Sequence, residues 1–149
     1  MRAARRIAWV SRHAPLPAQL REIARLFPGA TLADAGAHFR NTEELIARLD
    51  DLGADAAVVV LPLSMIARAV ELRPDILWIW SEMAQVHEGC PGPDSCPLFD
   101  PETDAWLPGA RGEPGRHVRF MGFRRIAEVR VVLEPLEPLE PAGARGEPS

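Results

Sequence analysis

The sequence predicts an α/β protein with a Rossmann-like, mostly parallel sheet, helices on both faces and a C-terminal antiparallel hairpin. Short apolar runs alternate with amphipathic helical patterns and are joined by short connections, which is the pattern of a right-handed parallel sheet. The run from Ala54 to Leu61 is apolar and β-branched, as is typical of a parallel strand covered on both faces. A length of 149 residues with 47% hydrophobic content suits one domain, which we predict over residues 1–136.

The first half of the chain alternates strand and helix. Pro17 suits the first turn of a helix, where its missing N–H is not needed, and Pro28-Gly29 ends that helix. Asn41 is a good N-cap and Gly53 a plausible C-cap of the next helix. The predicted elements are strand 6–11, helix 17–27, strand 30–35, helix 41–52, strand 54–61, helix 62–72 and strand 75–80.

The regular pattern stops after the fourth strand. Residues 83–116 contain six prolines and no sustained period, which predicts a long excursion from the sheet. Residues 117–123 and 127–133 both alternate, and we expect them to pair as an antiparallel hairpin at the sheet edge. The acidic, proline-rich residues 137–149 predict a disordered tail.

Composition excludes several classes of function. The net charge is −4, which argues against binding of long nucleic acids, although all 17 basic residues are arginine. No apolar run approaches the roughly 18 residues of a membrane span, and the N-terminus lacks the apolar region of a secretory signal. With only two cysteines, the chain is expected in a reducing cytoplasm.

Polar side chains follow three of the predicted parallel strands, at the edge where open α/β sheets bind ligands. They are Ser11, Arg12 and His13 after the first strand, His38 and Arg40 after the second, and Ser64 after the third. Arginine can bind phosphate as a fork and histidine can move a proton near neutral pH. Neither glycine-rich phosphate fingerprint is present. The alternatives are a solvated turn at residues 11–13 and a plain N-cap at Ser64.

A second group lies in the excursion. His87, Cys90 and Cys96, with His117 beyond, offer the four nitrogen and sulfur ligands that structural zinc takes. The spacing of five residues between the cysteines is not a standard zinc spacing. A structural zinc, a disulfide and two free thiols therefore remain open, and no other cofactor is required.

The stretch Ser11-Arg12-His13-Ala14-Pro15-Leu16-Pro17-Ala18-Gln19 resembles one in small stand-alone proteins of type III CRISPR systems that have a CRISPR-associated Rossmann fold (CARF)-like domain. There the first strand runs into a His-Pro-Leu-Thr-x-x-Gln segment. Here Ala14 is an extra residue and Pro17 replaces the Thr. The likeness covers residues 6–82 and 117–136.

The resemblance implies a cytoplasmic antiviral-defence or counter-defence protein that binds cyclic oligoadenylate. It would sequester this ligand or cleave it as a metal-independent ring nuclease, with Arg12 binding phosphate and His13 moving a proton. A homodimer is expected, because a symmetric ligand is best held across a two-fold axis. The rival interpretation is a non-enzymatic protein-interaction factor from a phage or plasmid.

Overall fold

A mixed sheet carries three helices in the computed structural model of the protein, which describes residues 5–141. The elements are β1 (Arg6–Val10), α1 (Pro17–Leu26), β2 (Thr31–Asp34), α2 (Thr42–Leu52), β3 (Ala56–Val59), α3 (Leu63–Leu72), β4 (Leu77–Cys90), β5 (Asp104–Leu107) and β6 (Gly115–Arg125). The six strands of this part of the chain lie in the order β2-β1-β3-β4-β6-β5. The α/β class and the seven elements predicted before residue 81 are confirmed, except that the fourth strand ends at Cys90 and not at residue 80.

Strands β2, β1, β3 and the start of β4 are parallel, and their alternating side chains bury the core on two faces. Ala8 and Val10 of β1 belong to a cluster with apolar residues of α2 and α3, namely Leu45, Leu49, Ile66 and Ala69. Ile7 and Trp9 point the other way and cluster with Ile23 of α1. The parallel part of the sheet is therefore covered on both faces.

The helix ends follow local chemistry. The Asn41 side chain accepts a hydrogen bond from the Glu44 amide at 2.8 Å, as an N-cap does. The Glu44 carboxylate accepts a hydrogen bond from the Arg40 side chain at 3.1 Å. Gly53 ends α2 with a left-handed φ of 65°, which glycine adopts without steric cost.

The second half of the sheet differs from the predicted excursion and hairpin. The proline-rich excursion is only partly irregular, because β4 continues to Cys90 and pairs antiparallel with β6 from Ile79 onward. Residues 91–103 and 108–114 form no helix or strand. β5 then pairs antiparallel with β6 and forms the edge. The predicted hairpin of residues 117–123 with 127–133 is wrong. Residues 117–123 pair with β4 and β5 instead, and residues 127–133 form neither strand nor helix.

Irregular strand pairing explains why the sequence pattern does not predict the strands of this half of the sheet. The β4–β6 register shifts between Glu82 and Met83, between Gln85 and His87, and between His87 and Cys90. Each shift adds a residue on one strand, so the alternation of side chains restarts and no period of two survives. We call residues 83–120 the distal lobe.

After β6 the chain is irregular. Ile126 and Val129 still pack against the core, whereas Leu133, Leu136 and Leu139 are at least 80% exposed. Residues 137–141 of the predicted tail have no regular structure, and its residues 142–149 lie outside the described part, as do residues 1–4. None of the helices between residues 5 and 141 is long and apolar enough to cross a membrane.

Candidate metal centre

Four side chains that can bind a metal ion meet in the distal lobe: His87, Cys90, Cys96 and His117. One ligand atom from each lies within 4.8 Å of all the others. Cys96 Sγ is 3.2 Å from His87 Nε2 and 3.8 Å from His117 Nδ1. Cys90, Cys96 and His117 are buried, and His87 is partly exposed at the rim of the cluster.

A bulge in β4 places His87 and Cys90 on the same face. Residues three apart on a regular strand point to opposite faces. Here His87 pairs with His117 and Cys90 with Gly115, so three steps on β4 match two on β6. Gly89, with a left-handed φ of 65°, lies in this irregular stretch. The extra residue turns Cys90 back to the side of the two histidines.

A tight turn after β4 brings in the second cysteine. The Ser95 and Cys96 amides both donate to the Gly92 carbonyl, at 3.3 and 3.1 Å, and this folds the chain back over the strand ends. Pro91 and Pro97 lie on either side of this turn and Pro93 lies within it, so the proline-rich segment positions a thiol.

Hydrogen bonds fix the tautomers of both histidines. His117 Nε2 lies 2.6 Å from Asp104 Oδ2, and His87 Nδ1 lies 3.1 Å from the Glu88 carbonyl oxygen. An ionised carboxylate and a carbonyl can only accept, so these outer nitrogens carry the protons. The inner nitrogens, His117 Nδ1 and His87 Nε2, keep their lone pairs directed at the thiols in the neutral form. Metal-binding histidines are oriented in this way by carboxylates and backbone carbonyls.

Asp104 is the buried anchor of this arrangement, with its side chain fully inaccessible. Arg119 binds it through two nitrogens, at 2.7 and 2.9 Å, and the Thr103 hydroxyl and Asp100 amide also donate to it. Burial would raise the pKa of Asp104, but the hydrogen bonds, led by that of Arg119, outweigh burial and hold its pKa well below the usual value. Asp104 is therefore ionised at neutral pH.

The thiol of Cys96 has acidic character. Burial would raise its pKa, but the Leu98 amide, His87 and Cys90 bind the thiolate and lower the pKa to about 7. The same contact with Cys96, and then the Glu88 carbonyl, raise the pKa of His87. A thiolate is the form in which cysteine binds metals, so the cluster can hold a metal ion.

Trp106 lies on β5, next to the strand that carries His117. It pairs with His117 across β5 and β6, and its ring occupies the space that a side chain at Gly115 would need. A Cβ built on Gly115 would lie 2.3 Å from the indole ring. The indole N–H is buried and finds no acceptor in the described chain. Only glycine at position 115 leaves room for this ring opposite Cys90.

The predicted carboxyl-edge residues do not form one comparable cluster. Ser11 is buried, and its Oγ accepts from the His13 amide at 3.2 Å, while Arg12 and His13 are exposed. His38 and Arg40 both line a hollow of about 350 Å³, together with Phe39, Leu61 and Met65, and Arg40 is paired with Glu44. Ser64 is exposed in the first turn of α3, whose N-cap is Pro62, so its interpretation as an N-cap is wrong.

Sequence reasoning found the four cluster residues but missed Asp104 and Arg119. Asp104 lies within the irregular stretch, where no pattern distinguished it from other acidic residues. Arg119 belongs to the predicted strand 117–123, and its position two residues after His117 is the signal that could have placed it on the same face.

Comparison of the chain with family models, with curated proteins and with solved structures finds no match. The resemblance to CARF-like proteins stays a prediction.

Proposed function

We propose that this protein binds one zinc ion through His87, Cys90, Cys96 and His117, and that the metal has a structural role. The observation that carries the proposal is the orientation of the two histidines. Each donates its outer N–H to an oxygen and turns its lone pair to the thiols. A disulfide or a pair of free thiols would require no such arrangement.

The distances and donor types favour zinc. Zinc–sulfur and zinc–nitrogen bonds of about 2.3 and 2.0–2.1 Å in a tetrahedron place neighbouring ligand atoms roughly 3.5 Å apart. The two sulfur–nitrogen distances of 3.2 and 3.8 Å lie on either side of this value. Two thiols and two imidazoles are a common structural zinc set, and four protein ligands leave no open position for a substrate.

The distal lobe needs such a metal. No residue of 83–120, all of which are described, belongs to either apolar core cluster. Its buried side chains are mostly the cluster itself and Asp104, with Val118 as the main aliphatic one. A lobe that buries so little apolar surface gains its order from metal binding, as small zinc domains do.

Elemental analysis of the purified protein tests this proposal. We expect close to one equivalent of zinc per chain, and loss of most of it in Cys96→Ser and His117→Ala variants. His13→Ala is the matched control, since His13 is exposed and lies outside the cluster. Cobalt substitution should give the absorption bands of a tetrahedral thiolate site. Less than about a tenth of an equivalent after reconstitution with excess zinc would refute the site.

We propose as a second function that the Rossmann-like half binds a small phosphorylated nucleotide, a cyclic oligoadenylate, as a homodimer. The supporting observation is the hollow lined by His38 and Arg40 beyond the ends of β2 and β3. Ligands of open α/β sheets bind at this edge. Arg12 and His13, exposed after β1, would bind phosphate and move a proton if the ring is cleaved.

Isothermal titration with cyclic tetra-adenylate and cyclic hexa-adenylate tests this second proposal. Binding should be lost on Arg12→Ala and weakened on Arg40→Ala, and it should persist in Arg48→Ala, an exposed arginine of α2. Light scattering should give the mass of a dimer. Absence of heat with both ligands would reject this function and favour the rival, a protein-interaction factor.

A further inference from the structure

The two thiols of the cluster are close enough to react with each other. Their sulfur atoms lie within 4.8 Å, and neither is in a disulfide. Only five residues separate Cys90 from Cys96, and they include Gly92 with a φ of 138°, in the turn that carries Cys96. A disulfide bond is about 2.05 Å long, so the turn has to bring the two sulfurs closer together before they can join. The chain has no other cysteine to compete for either thiol.

We propose that the Cys90–Cys96 pair is a redox site at which a hydroperoxide converts the two zinc thiolates into a disulfide and thereby releases the metal. This inference rests on the proposed zinc site. It adds that the site binds the metal only while both cysteines are reduced. The two thiolates are half of the ligands, and one two-electron oxidation joins them in a disulfide that no longer binds zinc.

The cluster assigns distinct roles to the two cysteines. Cys96 is the more accessible, at 8% against 2% exposure, and it is adjacent to the partly exposed His87. We assign it the first attack. The Cys96 thiolate attacks one peroxide oxygen, an S–O bond forms, the O–O bond breaks, and the other oxygen leaves as hydroxide or alkoxide. The Cys90 thiolate then attacks Cys96 Sγ, and the S–O bond breaks as hydroxide departs.

The step balances. Two thiolates lose two electrons in total to the peroxide, the departing hydroxide or alkoxide and the second hydroxide take up two protons from the buffer to give water or alcohol, and one disulfide forms. Two imidazoles alone then remain around the zinc ion. They lack the thiolates that give the site its affinity, so the ion leaves.

The lobe transmits this change to helix α1. The Glu102 carbonyl accepts the Ala18 amide at 2.9 Å, which satisfies a free N–H at the start of the helix. Glu102 also pairs with Arg21 at 2.9 Å. Glu102 lies two residues before Asp104, the anchor of His117. Loss of the metal therefore loosens the docking of α1, directly after the predicted ligand-binding residues 11–13.

The experiment treats the zinc-loaded full chain with hydrogen peroxide. Released zinc is followed with a chromogenic chelator and the intact mass is measured after denaturation. We expect a loss of about 2 Da for each zinc released, with both changes reversed by dithiothreitol and added zinc. Peptide mapping separates this from oxidation of Met121, which is 60% exposed. Amide exchange at Ala18 should rise with disulfide formation.

Two results would overturn the proposal. One is zinc retention when exposed methionines are already oxidised. The other is zinc release accompanied by sulfinic acid rather than a disulfide. A chain that purifies and reconstitutes without zinc would instead refute the proposed function, and the mass of the oxidised chain would still decide whether the disulfide forms.

A variant tests the order of attack. Cys90→Ser leaves Cys96 without its partner, so dimedone should trap a sulfenic acid at Cys96 after peroxide treatment. In Cys96→Ser, dimedone should label Cys90 much more slowly. Far-UV circular dichroism shows whether each variant keeps its helices. Equal labelling of both variants would overturn the assignment of Cys96 as the first thiol to react.

Discussion

Asp104 determines which nitrogen of His117 faces the cysteines. Arg119, Thr103 and the Asp100 amide hold the carboxylate in place while its Oδ2 accepts from His117 Nε2 at 2.6 Å. A buried charge survives only with such partners, because burial alone strongly favours the neutral acid. Of the four cluster residues only His117 is hydrogen-bonded to Asp104, so Asp104 would act on the proposed metal through this imidazole.

Replacing Asp104 with Asn should weaken zinc binding by about 10–100-fold, the usual effect of losing an outer-shell partner of a histidine ligand. The amide can donate to His117 Nε2 and so favours the wrong tautomer. Competition with a chelator of known affinity measures the change. Glu82→Gln is the control, because Glu82 forms only an exposed ion pair with Arg124 on the same two strands. An unchanged zinc affinity in Asp104→Asn would contradict the positioning role.

At the scale of the element, the bulge near Gly89 in β4 determines whether His87 and Cys90 point to the same face of the strand. Gly89→Ala places a Cβ at a left-handed φ of 65°, where an alanine is strained by about 1–2 kcal/mol although no atom obstructs it. We expect both thermal stability and zinc affinity to fall. Gly29→Ala carries the same kind of strain at a φ of 79° but in the α1–β2 turn. That control should lose stability alone, as calorimetry and chelator competition would show.

An ion pair in the connection from α3 to β4 leads us to predict a pH dependence of stability. Arg73 pairs with Asp75 at 2.9 Å and with Asp50 at 2.8 Å, and its hydrogen bond lowers the pKa of Asp75 below the usual 3.8. A lowered pKa in the folded state means stability that is present above 3.8 and lost as pH falls through the lowered value. Because the Asp75 side chain is 65% exposed, the contribution is less than about 1 kcal/mol.

Asp75→Asn should therefore reduce the free energy of unfolding near neutral pH, and its difference from the natural protein should vanish in acid. Urea titrations at several pH values measure this difference. Asp51→Asn, at an exposed residue without an ion pair in the described chain, should show no such trend. A difference that persists in acid would rule out the ion pair as its source.

The elements that sequence reasoning predicted well are those with an unbroken period. β3 is buried at every position, as its apolar composition predicted, and α2 has the N-cap and C-cap residues that marked its two ends in the sequence. β4 shows the opposite case, since its period breaks at each register shift. The cluster residues were recognisable by chemical type, but Asp104 became visible only through the pairing of β5 with β6.

At the scale of the whole molecule, two kinds of stabilisation divide the chain. The half with the three helices buries two apolar clusters around β1 and β3. The distal lobe instead buries the histidine and cysteine side chains of the cluster and the charged Asp104. The two halves share β4, which runs from the core at Trp78 to the cluster at Cys90. Hydrophobic burial stabilises the first half without a metal, whereas the second half, and the contacts that it makes with α1, would depend on the proposed zinc ion.

Chelation should therefore loosen the distal lobe while the helical half stays folded. With the metal removed, we expect amide exchange to rise across residues 83–120, most at His117 and Val118, which are now protected by burial and pairing. Amides of β1 and β3 should keep their protection, because their neighbours are the apolar clusters. Hydrogen exchange read by mass spectrometry, with and without chelator, measures both regions in one experiment. A uniform rise over both halves would mean that the sheet unfolds as one unit, and that the metal stabilises the whole molecule through β4.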